Sequence, residues 1–246
     1  MTKEENLNRI HCVLTEPQDS ANIGSVCRAI KTMGITHLDI VGERDYDISR
    51  LKSLSVHAFD VWENAKIYKT LDDALEGSSL SIAFTRRKGK FRKLSSWSPL
   101  EFVQFVEKFP AGVISLVFGR ENNGLSDEEV EKCNAVCTIE TSPEFPSLNL
   151  AQSVQIAAYM LYSNLSDYEK TEHSISKSAI DESTKNAIAS LSQMHFFKED
   201  SDEKHSYEIF IRDFLSRGGF SISEKQRIDK FFTKLSKIAL YKNQQK

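Results

Sequence analysis

Gly119 and Gly124 stand five residues apart, with Arg120, Glu121, Asn122 and Asn123 between them. The apolar run 114–118 ends at the first glycine. Ser126, with Glu129 three residues on, carries the reciprocal pattern of a helix start. A strand, a polar loop and a helix in this order either hold a ligand or simply connect. The glycine spacing fits half of a phosphate-binding loop, which then needs Lys and Ser or Thr to reach the phosphates and magnesium. Leu125 and Ser126 follow instead, so a nucleoside triphosphatase is excluded. No G-x-G-x-x-G follows a predicted strand, which removes the ordinary dinucleotide fingerprint.

Composition narrows the class further. A chain of 246 residues suits one large domain, or a medium one with a small companion. With 40% hydrophobic and 27% charged residues it reads as globular. No apolar run approaches twenty residues, so no membrane span is expected. The polar segment 1–10 is unlike a secretory signal. Cys12, Cys27, Cys133 and Cys137 sit in apolar patterns without C-x-x-C spacing or a histidine cluster. They are expected to be reduced core thiols of a cytoplasmic protein, with no metal site. A net charge of −3 confines any nucleic-acid binding to local patches. The densest is Arg86, Arg87, Lys88, Lys90, Arg92 and Lys93, six basic side chains in eight residues. A second, diffuse one runs from Lys204 to the end, where basic residues outnumber acidic ones.

Apolar periodicity predicts strands at 10–14, 37–41, 65–68, 80–84, 113–118 and 135–139. It predicts helices at 22–33, 51–59, 72–76, 99–109, from Ser126 onward, and at 150–165. This alternation argues for an α/β fold, a mainly parallel sheet flanked by helices on both faces. Ligands in such sheets sit beyond the carboxyl ends of the strands, here at loops 15–22, 85–98, 119–125 and 140–149. Residues 166–183 are polar and read as a linker. Residues 184–246 read as a small C-terminal helical domain, its third helix capped by Ser223 with Gln226. Three short helices make a marginal core alone, so docking or dimer contacts are expected of them.

Three separated segments carry a resemblance. They are Asn22-x-Gly24-x-x-x-Arg28-Ala29; the stretch LVFGRENNGL at 116–125; and Ile139 followed by SLNLA at 147–151. In this order they resemble the three motifs of the SpoU (TrmH-type) RNA ribose 2′-O-methyltransferases of the SPOUT superfamily. The form TSPEFPSLNL, which lacks the methionine common in the wider family, is similar to the TrmJ-like branch. The likeness covers residues 8–165, with residues 1–165 as the methyltransferase domain, and the tail more loosely.

The resemblance implies a C-terminal trefoil knot in that domain, whose loops bind S-adenosylmethionine. Thr85, Gly119, Arg120, Glu121, Ile139, Ser147 and Leu148 would lie along the cofactor. Arg28, Asn22, Glu121, Ser147 and Asn149 would serve catalysis. An arginine is effectively always protonated, so for Arg28 a phosphate clamp or stabiliser of a developing alkoxide is easier than a general base. Asn22 either contacts substrate or caps its helix, and Ser147 and Asn149 either bind ribose or phosphate or cap theirs. The family implies a homodimer, with the apolar face Val154, Ala157, Ala158 and Leu161 as its interface. The implied substrate is tRNA, methylated at anticodon-loop position 32 on cytidine or uridine. The basic segment 86–93 and the helical tail would grip its phosphates. Phe91 and Trp97 would either stack on bases or pack. The other readings are a ribosomal RNA methyltransferase and a knotted RNA-binding module without activity.

Overall fold

The computed structural model describes residues 2–86, 96–165, 175–198, 202–218 and 220–243. A short helix, α1 (Lys3–Asn8), precedes β1 (Ile10–Thr15), α2 (Ser20–Thr32) and β2 (His37–Val41). Helix α3 (Ile48–Ser55) passes through a 3-10 turn (Val56–Ala58) into α4 (Phe59–Glu63). Then come β3 (Lys66–Tyr68), α5 (Leu71–Leu75), β4 (Ser78–Phe84), β5 (Ser96–Trp97) and α6 (Pro99–Lys108). Strand β6 (Val113–Phe118), α7 (Asp127–Lys132), β7 (Ala135–Cys137) and α8 (Leu150–Asn164) follow. The predicted strands and helices are all present, within a few residues. Helix α1 and the two-residue β5 carry too little pattern to have been predicted.

All pairings in the seven-stranded sheet are parallel, in the order β3-β2-β1-β6-β4-β7-β5. Side chains alternate across a strand, so each strand feeds two cores. Ile10, Cys12 and Leu14 of β1, with Leu116 and Phe118 of β6, join the larger core beneath α2, α6 and α8. Val13 and Val117 face the other way, with Leu71, Leu75, Leu125 and Val130 from the α5 and α7 side. The four cysteines are buried and unbridged, and burial pushes the Cys27 and Cys137 thiols up to about 12. Among the described residues no helix is long and apolar enough to cross a membrane. Gly24 lets α2 and α3 touch, because a Cβ there would land on the Leu51 carbonyl.

The helical block departs from expectation in two places. Helix α9 (Lys177–Gln193) begins inside the stretch read as linker. Several of its polar residues are buried: Ser183 and Thr184 are covered, and the Thr184 hydroxyl donates to the Ile180 carbonyl at 2.9 Å. Helices α10 (Glu203–Arg217) and α11 (Ile222–Asn243) flank it. The cap of α11 is Ser221 with Glu224, two residues before the predicted pair Ser223 and Gln226. The block docks on the sheet's smaller-core side. Asn134 donates its amide to the Ser216 hydroxyl at 2.8 Å, and Lys177 lies 3.8 Å from Asp72.

A third correction concerns α8. Val154, Ala157, Ala158 and Leu161 are all buried within this chain, against the larger core, so they cannot form an interface with a second copy. The sequence showed an apolar face, and its own sheet consumes it. Tyr159 and Tyr162 are the aromatic residues that α8 leaves exposed.

Candidate active site

Leu14, Phe84 and Phe118 lie side by side in register at the carboxyl ends of β1, β4 and β6. Phe84 and Phe118 stack with centroids 4.6 Å apart and line a cleft. The loops that leave β4 and β6, with the segment after β7 and the start of α8, form the rest of its wall. Thr85, Gly119, Arg120, Glu121, Ile139, Ser147 and Leu148, the seven residues expected along a cofactor, all line it. Asn122, Asn123, Pro146, Leu150 and Ser153 line it as well. Apolar walls with a polar rim suit a nucleoside-like ligand.

The glycines of the loop do two different jobs. Gly124 has φ +64°, which favours glycine. Gly119 matters for space: a Cβ there would coincide with the Gly124 carbonyl carbon and the Leu125 nitrogen. The close approach that glycine permits at 119 is thus of the loop to itself, not only of a ligand to the loop. Gly124 N–H closes the turn by donating to the Arg120 carbonyl at 2.9 Å. The Arg120 guanidinium clasps the same turn. It donates to both oxygens of Glu129, at 2.8 and 3.2 Å, to Glu16 and to the Gly124 carbonyl. These partners, with burial opposing them, hold its pKa above the usual value. Arg120 therefore borders the cleft, while its guanidinium is engaged in bracing the loop.

Glu121 lies at the centre of the polar rim. Its Oε2 accepts from the Gln18 N–H at 2.9 Å, and its Oε1 from the Asp19 N–H at 3.1 Å and from Asn22 Nδ2 at 2.9 Å. Asn22 Oδ1 in turn accepts from Asn149 Nδ2 at 2.9 Å. Asn149 Oδ1 accepts from the Ala151 and Gln152 N–H groups, which caps α8. A carboxylate is acceptor-only, so it fixes the Asn22 amide, which then fixes the Asn149 amide. One hydrogen-bond chain thus joins all three sequence motifs. Asn22 is not the cap of α2. Asp19 is, and Asn22 sits in the first turn with its side chain committed to this chain. Ser147 makes no cap and stands on the cleft wall.

Sequence reasoning missed Gln18 and Asp19, whose backbone N–H groups hold Glu121, and Glu16, whose φ of 45° bends the chain toward them. Strain of this kind gathers at functional sites. An aspartate just before the 22–33 pattern was the one available signal, since Asp is a favoured cap.

Arg28 stands apart from this cluster. It is exposed on α2, six residues beyond Asn22 and so about 9 Å farther along the helix axis. Its side chain makes no hydrogen bond or ion pair with another described residue. Ser25 and Ala29, on either side of it in sequence, line a second, shallow groove with Asn149, Gln152, Gln155 and Ile156. Arg86 is exposed on the rim of the main cleft. Arg87, Lys88, Lys90, Phe91, Arg92 and Lys93 lie outside the described residues. Trp97 packs on Phe105 with centroids 4.5 Å apart, against the larger core, which favours its packing reading. Among the described residues no group of His, Cys, Asp or Glu is arranged to hold a metal ion.

Residues 9–159 match the SpoU rRNA Methylase family, and the chain belongs to that family. Its curated relatives include the tRNA (cytidine/uridine-2′-O-)-methyltransferase TrmJ of Yersinia enterocolitica, 40% identical over 157 residues, which are 62% of this chain and 60% of that protein. The tRNA (cytidine-2′-O-)-methyltransferase TrmJ of Methanocaldococcus jannaschii is 34% identical over 155 residues, 62% of this chain and 67% of that one. The chain therefore spans roughly three fifths to two thirds of the length of these relatives. Among solved structures, TrmJ from Z. mobilis ZM4 superposes with a TM-score of 0.71 at 22% identity, covering 92% of this chain and 98% of that one. That likeness shows a shared fold.

Proposed function

We propose that this chain transfers a methyl group from S-adenosylmethionine to a ribose 2′-hydroxyl of tRNA, at anticodon-loop position 32 on cytidine or uridine. The observation that carries this reading is the chain from Glu121 through Asn22 to Asn149, which ties all three family motifs to one cleft. The similarity to tRNA ribose methyltransferases from a bacterium and from Methanocaldococcus jannaschii supports tRNA as the substrate.

The residues present fit the cofactor. Phe84, Phe118, Ile139, Leu148 and Leu150 offer apolar walls for an adenine ring, and Thr85, Asn122 and Ser147 offer polar groups for its edge and for a ribose. S-adenosylmethionine would supply an electrophilic methyl group on a sulfonium. The protein's own part is positioning, since an in-line displacement depends chiefly on alignment. The chain from Glu121 holds the Asn22 and Asn149 amides in one orientation. Arg28, charged and without a side-chain partner among the described residues, is available to hold an RNA phosphate or to stabilise negative charge developing on the attacking oxygen. Arg86 begins the basic segment that would run along the RNA backbone, an attraction that weakens with salt.

The proposal extends to the trefoil knot, formed by threading the chain around the second and third motifs. It extends also to a cytoplasmic homodimer that covers the outer face of α8. Gln155, Ile156, Tyr159 and Tyr162 lie there, with Lys3 Nζ 4.0 Å from the centre of the Tyr162 ring.

Arg28→Ala separates binding from chemistry. Its methyl transfer to tRNA should fall by at least about a hundredfold, as for loss of one charge-stabilising donor. Calorimetric titration with S-adenosylmethionine should give an unchanged affinity. Retained transfer would remove Arg28 from the mechanism.

A further inference from the structure

Phe145 is the most exposed large apolar side chain among the described residues, at 80%. It stands between Pro143 and Pro146 in the segment joining β7 to α8. The turn is held without help from the ring. Thr141 Oγ1 donates to the Pro146 carbonyl at 3.1 Å, and the Glu144 N–H donates to Ser142 Oγ at 3.3 Å. Each proline also fixes its own φ. The ring is thus carried outward on a braced turn and is not packed into the fold. Pro146, Ser147 and Leu148, the next three residues, line the cleft, and Asn149 ends the polar chain from Glu121. Phe145 thus directly precedes the residues that line the cleft, and Arg86 lines the same cleft.

We propose that Phe145 stacks on an unpaired RNA base, that of the nucleotide whose ribose enters the cleft. The inference rests on the function proposed above. A ribose hydroxyl brought to the cleft carries its base with it, out of any stack, and the base needs a new surface. A flat aromatic ring supplies one, and RNA recognition commonly uses it for splayed bases. Charge complementarity also favours RNA, because exposed Arg86 lines the same cleft and would meet an anionic backbone there. Stacking reads no base edge, so this contact admits cytidine and uridine alike.

The test uses the full chain, unmodified tRNA transcripts, and two variants. Phe145→Ala should lower kcat/KM for tRNA by roughly tenfold to a hundredfold, the usual worth of one stacked base. Its affinity for S-adenosylmethionine and its sedimentation should match the parent protein. Phe145→Trp should keep activity within a few-fold. Its emission, after subtraction of the parent's Trp62 and Trp97, should be quenched by the transcript and by a single-stranded oligonucleotide. Wild-type kinetics for Phe145→Ala, or an unquenched Phe145→Trp, would overturn the inference. A changed sedimentation of Phe145→Ala would overturn it too, by assigning the ring to contact with a second copy. If the parent protein transfers no methyl to tRNA, the proposed function fails, while quenching by the oligonucleotide still decides whether the ring meets a base.

Discussion

Glu121→Gln should lower methyl transfer by about a hundredfold, the equivalent of two to three kcal/mol lost when a charged acceptor is replaced and a donor is left facing a donor. Three donors converge on the carboxylate: the Gln18 and Asp19 N–H groups and Asn22 Nδ2. A glutamine offers one oxygen, so its amide nitrogen must oppose at least one of them. Turning the Asn22 amide to compensate only moves the conflict. Asn149 would then have to turn as well and present its nitrogen to the Ala151 and Gln152 N–H groups that it now caps. The disturbance thus travels from the loop after β6 to the start of α8, across all three motifs. The measurement is kcat at saturating tRNA and cofactor, with the thermal midpoint read in parallel. A fall in kcat with a midpoint only a few degrees lower is expected. Full activity would show that the orientation of these amides does not matter to the reaction.

The second large effect is at Gly119. Gly119→Ala should abolish detectable cofactor binding and destabilise the fold by roughly 1–3 kcal/mol, the usual cost of forcing extra atoms into packed structure. The added methyl would meet the Gly124 carbonyl carbon and the Leu125 nitrogen, both backbone atoms that cannot rotate away. Relief requires the loop to open. Opening pulls on Leu125, which is buried in the smaller core, and on the Arg120 clasp to Glu129. Gly124→Ala is the comparison. Its methyl would meet nothing, and only the left-handed φ opposes it, at a cost of about 1–2 kcal/mol. Titration calorimetry with S-adenosylmethionine should therefore rank the parent protein first, Gly124→Ala second and Gly119→Ala last. Equal binding by Gly119→Ala and the parent protein would mean that the loop is not the cofactor's seat.

The sequence was most legible where local pattern and final structure share a cause. Strands β1, β4 and β6 show as apolar runs because both faces of the sheet are covered. The Ser126 and Glu129 cap is local by nature, and it forms as read. Legibility failed where tertiary contact decides. Residues 177–183 look like linker by polarity, but Lys177 finds Asp72 and Asp181, and Ser183 is buried. Apolar pattern marked the inner face of α8 without saying what would cover it, and the chain's own core does. In the cleft, the residues were legible through family likeness, but their partnerships were not. Glu129 was read as a cap alone, and nothing local says that it also grips Arg120. Nor does any spacing reveal that Glu121 is held by backbone groups more than a hundred residues earlier in the chain.

The most direct test of the central claim is to incubate the protein with S-adenosylmethionine and unmodified tRNA transcripts, digest the RNA, and locate any modified nucleotide by mass spectrometry. The account predicts a single added methyl on a pyrimidine ribose at position 32 of the anticodon loop. Cofactor binding without any ribose methylation of tRNA, and above all methylation of ribosomal RNA fragments in its place, would contradict it.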